Sequence, residues 1–226
     1  MSVVDPFTGH ELWAQIYDQL PNPLLSLEER ELSLWLGNLN GLSVADIGSG
    51  TGRWMRQARS LGAFSVVGID FSLKMIAQAT KKPELRGQLI LADASYIPLS
   101  SSGVDVIICG FVLGYLPALS VAANEFHRIL KPNGSLFCSD FHPSAYQHGW
   151  KRAFKADGQS IEITSTARQQ TEIEKDFGRY FNLQRQASLQ LGEAERSIFE
   201  RAGKLEFFEQ VKNIPAVILF QWTKLC

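Results

Sequence analysis

From about residue 41 the apolar positions follow two alternating periods. The nearly continuous apolar runs "LSVAD", "FSVVGID", "QLILAD", "VDVIICG" and "SLFCSDF" read as strands. Between them "GRWMRQARSLG", "SLKMIAQATKK" and "LSVAANEFHRIL" carry helical spacing, stopped in turn by Gly62, by Pro83 and by the turn "KPNG". Such strands suit a parallel sheet covered on both faces. Strict strand–helix alternation predicts a doubly wound, Rossmann-like α/β fold.

The flanks are less regular. Trp13, Ile16, Tyr17 and Leu20 recur at helical spacing until "PNP" interrupts. Ser26 and Glu29 form a capping-box pattern opening a second helix, "LEERELSLWLGNL". After residue 141, Asp157-Gly158 between two short alternating stretches predicts a hairpin. "TEIEKDFGRYF" and "AERSIFERAG" look helical, while "LQRQASLQL" and "IPAVILFQW" read as last strands of a mostly parallel, seven-stranded sheet. No repeat or linker divides the chain, so residues 1–226 are expected to form one domain.

Composition narrows the function. Of 226 residues 45% are apolar and 20% charged, and the formal net charge is −1 without blocks of like charge. That argues against broad electrostatic binding to nucleic acid or to an anionic membrane. No apolar run reaches the roughly 18 residues of a membrane span, and "MSVVDPFTGHELWAQ" lacks the features of a signal peptide. Cys109, Cys138 and Cys226 have no metal-binding spacing and read as reduced thiols of a cytoplasmic protein. No cluster of histidines and carboxylates implies a metal.

Three aspartates, Asp46, Asp70 and Asp93, end the first three strands, about one strand–helix unit apart. In an open α/β sheet the ligand crevice lies outside these strand ends. The glycine loop "VADIGSGTG" spaces Gly48, Gly50 and Gly52 as G-x-G-x-G, not as the dinucleotide G-x-G-x-x-G. Asp46 beside it would repel a pyrophosphate. Both features weigh against NAD, and a ligand cationic at that end fits better. S-adenosylmethionine has an ammonium for Asp46, ribose hydroxyls for Asp70 and an adenine amine for Asp93. Asp46 also reads as a loop or helix cap, and Asp70 as a helix-entry residue.

The stretches "VADIGSGTG", "GIDFS", "LADASYIPLSSSGVDVIICGFVLGYL" and "EFHRILKPNGSLFCSDF" resemble class I S-adenosylmethionine-dependent methyltransferases over about residues 40–141. The similarity is to the small-molecule type, the methyltransferase type 11 or ubiquinone-biosynthesis group. It implies S-adenosyl-L-methionine contacts from Gly48, Ser49, Gly50, Asp70, Phe71, Asp93 and Ala94. Cys109 to Phe111 are then expected along the methionyl arm. It further implies a helical lid over residues 1–40, with Trp13 and Tyr17 covering the sulfonium, a cofactor-binding core at 41–141, and substrate-side insertions with the last strands at 142–226. Ser49 and Tyr115 stand where the family commonly has cysteine and histidine, and Asn133 in "KPNG" replaces a glycine.

The loop "DFHPSAYQHGW" follows the fifth strand at the ligand edge and holds His142 and His148. A protonated nucleophile needs a base near neutral pKa. His142 is therefore the leading candidate, followed by His148, with Tyr115 beside the substrate. His127 reads as structural, and His10 sits near the terminus without a motif. The combined expectation is methyl transfer to a small, partly apolar or planar acceptor, with oxygen slightly favoured because of the histidine-bearing loop. A non-catalytic binder of the same cofactor and an NAD-dependent oxidoreductase are the alternatives.

Overall fold

Asp5 and Pro6 start the first helix by local chemistry. The Asp5 carboxylate accepts from the Thr8 backbone N–H at 3.0 Å, and Pro6 occupies the first turn, where its missing N–H costs nothing. This helix, α1 (Pro6–Trp13), follows a short strand, β1 (Ser2–Val4), that the sequence pattern does not announce. The computed structural model describes residues 2–19, 21–156 and 158–225. Leu20, expected in the first helix, Asp157, expected in the hairpin turn, and Cys226 lie outside the described residues. α1 ends at Trp13, and Ile16 and Tyr17 continue in turns.

The second helix, α2 (Pro23–Leu36), begins before the expected capping box. Asn22 caps it through hydrogen bonds from Leu24 N at 2.9 Å and Leu25 N at 3.4 Å. Pro23 fixes the first-turn φ, so the asparagine–proline pair outcompetes Ser26.

From here the expected alternation appears: β2 (Ser43–Ile47), α3 (Arg53–Ser60), β3 (Ser65–Asp70), α4 (Leu73–Ala79), β4 (Leu89–Leu91), β5 (Val104–Gly110), α5 (Leu119–Ile129) and β6 (Leu130–Phe141). Ser72 caps α4 through Met75 N at 3.2 Å. The "KPNG" stretch lies inside β6, where the pairing with β5 shifts register between Val104 and Val106. Asn133 takes the left-handed conformation there, with φ 62°, as a turn residue can.

The remaining elements are α6 (Pro143–Gln147), β7 (Ala153–Ala156), β8 (Gln159–Ile163), α7 (Gln170–Phe177), β9 (Phe181–Leu189), α8 (Glu193–Arg201), α9 (Leu205–Val211) and β10 (Val217–Lys224). Helix α9 was not read from the sequence. The seven-stranded sheet runs β4-β3-β2-β5-β6-β10-β9, parallel through β6 and antiparallel around β10. Two apolar cores cover its faces. One holds Leu32, Trp35, Met55 and Phe208, and the other Phe126, Phe177, Phe220 and Trp222. This is the doubly wound, Rossmann-like α/β fold expected above.

The hairpin does not extend this sheet. It pairs with β1 in a separate sheet of order β1-β8-β7. α1 rests on that sheet through Gly9, where an added Cβ would stand 2.6 Å from Ile163, and through Trp13 stacked on Phe154 at 5.1 Å. Glycine at position 9 lets the helix approach. No helix among the described residues is long and apolar enough to cross a membrane.

Candidate active site

The crevice predicted at the carboxyl ends of the strands is present as a cavity of about 230 Å³. One wall is built from the loops after β2 to β5. It contains Gly48, Gly50, Asp70, Phe71, Asp93 and Ala94, then Phe111 and Tyr115. The opposite wall is helical. Pro6, His10, Trp13 and Tyr17 lie on one face of α1 and its following turn, and Leu24 and Leu25 continue it from the start of α2. Phe141 and Arg152 close the side.

Backbone shape at the glycine loop leaves little choice of residue. Gly48 has φ 72°, and a Cβ there would stand 2.2 Å from Val112 Cγ2. Any side chain would therefore be strained and would displace a cavity residue. Gly50 N donates to Asp70 Oδ2 at 2.7 Å, and Ser72 N to Asp70 Oδ1 at 2.8 Å. The Asp70 carboxylate thus ties the loop to the start of α4 while facing the cavity. Burial raises its pKa to about 6, against the lowering effect of those backbone bonds. Asp93 is exposed at the far end and accepts from Ser95 N at 2.7 Å.

Asp46 and Ser49 do not line the cavity; they are buried behind the loop. Asp46 Oδ2 and Ser49 Oγ have no hydrogen-bond partner among the described residues. Burial pushes the Asp46 carboxyl up to about 8, opposed by Arg53 and reinforced by Asp70 and Glu28. Its carboxylate is therefore not the open charge that the sequence implied. The position follows from strand parity: β2 alternates sides, and Asp46 shares with Val44 the face turned to α2 and α3.

Parity also moves Cys109. It faces the second core and opposes Cys138 in register across β5 and β6, and both thiols are fully buried. A hydrogen bond with Cys138, with burial, holds the Cys109 thiol far above its usual range, so it is inert. Gly110 and Phe111 take the place expected for it at the cavity. Phe111 adopts φ 59°, rare for an aromatic residue. Three hydrogen bonds impose it: Phe111 N donates to Ser139 O at 3.0 Å and to Ser139 Oγ at 3.1 Å, and Phe111 O accepts from Arg152 at 2.8 Å.

His142 and His148 do not reach the cavity. The His142 ring caps α6, accepting from Ser144 N at 3.1 Å through Nδ1, and its Nε2 meets Ser188 at 3.1 Å. His148 is exposed, with Nδ1 2.8 Å from the Ser144 carbonyl. The "HP" step turns the chain out of the sheet, so Phe141 faces the site and the histidines face away.

Several polar positions in and around the cavity walls escaped the sequence reading. Glu28 on α2 is fully buried and bonds Arg53, Trp54 Nε1 (3.3 Å) and Ser139. Arg152 is buried, paired with Asp140, and lies over the rings of Tyr115 (4.5 Å) and Phe141 (4.6 Å). These partners are far apart in sequence, and no local pattern marks them. His10 is different. Its spacing to Trp13 and Tyr17 is a readable signal, because all three share one helical face.

Polar ties hold the N-terminal segment over the cavity. Glu11 accepts from Ser72 Oγ at 2.7 Å and Lys74 N at 3.0 Å; Asp18 accepts from Thr51 Oγ1 at 2.7 Å and pairs with Lys82 at 2.8 Å. Arg53 joins the second helix through Glu28 and Glu29.

The residues present fit S-adenosylmethionine. Gly48 has no room for a side chain, and Asp70 and Asp93 offer acceptors on the loop wall of the cavity. Among the described residues no group of three metal-ligating side chains occurs.

Residues 45–138 match the family model described as a methyltransferase domain. A demethylmenaquinone methyltransferase of Lactococcus lactis is 31% identical over 155 residues, which are 62% of this chain and 60% of that protein. The chain thus spans well under two thirds of that relative, and about half of other relatives of the same name. Among solved structures, an S-adenosylmethionine-dependent methyltransferase from Mesorhizobium loti superposes with a TM-score of 0.70 at 20% identity, covering 89% of this chain and 100% of that one. The (4+2)-cyclase SpnF superposes with a TM-score of 0.67 at 14% identity over 99% of both chains. Likeness at these identities concerns the fold, which hosts more than one chemistry.

Proposed function

We propose that this chain, a class I methyltransferase in its fold and in the domain match of residues 45–138, transfers the methyl group of S-adenosylmethionine to a small, partly apolar, planar acceptor. The observation that carries the reading is the asymmetry of the cavity. Asp70 and Asp93 stand on the loop wall, while Trp13, Tyr17 and Leu25 face them from the helical wall.

When bound, S-adenosylmethionine supplies a methyl carbon activated by the sulfonium. Asp70 would accept from the ribose hydroxyls and Asp93 from the adenine amine, while Gly48 and Gly50 would let the backbone come close. Phe71 and Ala94 would hold the adenosyl end, and Phe111 the methionyl arm. Trp13 and Tyr17 exclude water and offer ring faces to positive charge, a contact worth about 1–2 kcal/mol when desolvated. Burial pushes the Tyr17 phenol up to about 12, so it stays neutral and acts by packing. Positioning is the main source of acceleration in such an in-line transfer.

Relatives named demethylmenaquinone methyltransferase support a ring acceptor of the quinol type. The slight preference for oxygen as acceptor atom rested on His142 and His148, whose places outside the cavity withdraw that ground. The test is incubation with S-adenosylmethionine and separate phenols, hydroquinones, amines and thiols, with products identified by mass spectrometry. Methylation of a ring acceptor is expected. Tight binding of S-adenosylhomocysteine without transfer to any acceptor would favour the non-catalytic binder. A thermal shift with NAD but none with S-adenosylhomocysteine would favour the oxidoreductase.

A further inference from the structure

His10 is held in one ring orientation by its neighbours. Its imidazole stands edge-on to Tyr115, with centroids 4.8 Å apart and planes at 86°. Phe71 lies 5.6 Å away and Trp13 6.4 Å. Nδ1 is 2.6 Å from the Pro6 carbonyl, one turn earlier in α1. A carbonyl oxygen only accepts, so Nδ1 carries the hydrogen and Nε2 keeps the lone pair. No described residue bonds Nε2, and the ring lines the cavity.

We propose that His10 is the general base of the reaction, its Nε2 taking the proton of a hydroxyl on the acceptor ring. This rests on the methyl-transfer reading above and deepens it to an acceptor class: phenols and quinols whose hydroxyl is protonated at neutral pH. The acceptor's O–H bond breaks and its proton passes to Nε2. The acceptor's oxygen forms a bond to the methyl carbon as the carbon–sulfur bond breaks; where the conjugated ring carbon attacks instead, that carbon then loses its own proton to solvent and the oxygen regains one. The electron pair of the carbon–sulfur bond stays on sulfur. The imidazolium then returns its proton to solvent.

Among the other cavity residues, Tyr17 holds its own proton, Tyr115 has its ring face covered by the Arg152 guanidinium, Arg152 and Lys151 are basic side chains, and Asp70 is engaged by Gly50 N and Ser72 N. Asp93 lies toward the opposite end beside Ser95. The titratable and charged groups on the elements around His10 are Arg152 and Lys151 before β7, Lys155 on β7, Glu162 on β8 and Lys74 on α4. Asp70 at the end of β3, Tyr115 after β5, and Asp5, Glu11 and Tyr17 on or beside α1 stand with them. Burial lowers the His10 pKa below 6.5, and the Arg152 charge adds to this. At neutral pH the ring is therefore the free base.

Two measurements test the assignment with the full chain. The first compares the wild type with His10→Gln on hydroquinone and on 4-nitrophenol, which ionises near neutral pH without help. A general base contributes about 10²- to 10⁴-fold. His10→Gln is therefore expected to lose at least ~10²-fold in kcat on hydroquinone and under ~10-fold on 4-nitrophenol, with S-adenosylhomocysteine affinity unchanged by calorimetry. The wild-type kcat/KM on hydroquinone falls on acidification below pH 6.5, and the variant lacks that limb. Equal losses on both acceptors, or no loss, would overturn the role.

The second measurement needs no turnover, so it separates this assignment from failure of the methyl-transfer reading. Nitrogen-15 spectra should show His10 neutral at pH 7, protonated at Nδ1 only, with Nε2 shifting when hydroquinone is added to the S-adenosylhomocysteine complex. An Nε2-protonated ring, or an Nε2 resonance indifferent to hydroquinone, would refute it.

Discussion

Replacing Asp70 by alanine removes the acceptor that the proposed ribose contact needs. The side chain is 5% exposed, and each oxygen already takes one backbone N–H, from Gly50 and Ser72. Each carboxylate oxygen retains further lone-pair capacity toward the cavity. A hydrogen bond to a charged group contributes about 1.5–3 kcal/mol, so two ribose hydroxyls contribute about 3–6 kcal/mol, or roughly 10²- to 10⁴-fold in affinity. Loss of the Gly50 and Ser72 tethers adds to this. The expected result is S-adenosylhomocysteine binding at least ~10²-fold weaker by calorimetry at neutral pH.

The pH dependence gives an independent check. In the free protein burial holds the Asp70 pKa at about 6, and hydroxyl donors favour the ionised form, so ligand binding lowers that value. Affinity should therefore be level above about pH 6 and fall by up to about tenfold per unit below it, until the bound-state pKa is passed. Asp70→Ala should lack this acid limb. Unchanged affinity in Asp70→Ala, or an identical acid limb in both proteins, would refute the reasoning.

Gly48→Ala places a Cβ 2.2 Å from Val112 at φ 72°, so a loss of about 1–3 kcal/mol in urea unfolding and weaker S-adenosylhomocysteine binding are expected. Asp46→Asn tests the buried carboxyl: the folded group keeps its proton up to about 8, the unfolded group loses it near 3.8, and wild-type stability therefore falls as pH rises between those values. The melting temperature of unliganded Asp46→Asn should gain on the wild type across that window and run parallel above it; a constant difference would contradict the assignment. Arg152→Met strands Asp140 as a buried charge and should cost about 3–5 kcal/mol in chemical denaturation. Adding Asp140→Asn should recover part of that loss.

The legibility of this chain follows the range of the interactions. Strands β2 to β5 and helices α3 to α5 were readable because their apolar runs and caps are local, as at Ser72 on α4. The start of α2 was misread by one turn, since a capping box and an asparagine–proline cap compete within seven residues and local pattern does not rank them. β1 escaped because three residues pair only with β8, far along the chain. At the site, Gly48, Gly50, Asp70, Phe71, Asp93, Ala94, Phe111, Tyr115 and Tyr17 come together around one cavity, whereas Asp46, Ser49, Cys109, His142 and His148 do not line it. For Asp46 and Cys109 the residue type suggested chemistry, but strand parity turned the side chains into the cores.

The sequence by itself determined the doubly wound core and the edge where a ligand belongs. Those properties follow from periodicity, from glycine spacing and from aspartates at strand ends, all carried by short stretches of chain. Only the tertiary structure decided which histidine faces the site. His10 becomes a cavity residue because α1 is clamped between a three-stranded sheet and the ends of the main sheet, through Gly9 on Ile163 and Glu11 on Ser72. Those clamps join residues more than sixty positions apart, and packing at that distance leaves no trace in local sequence.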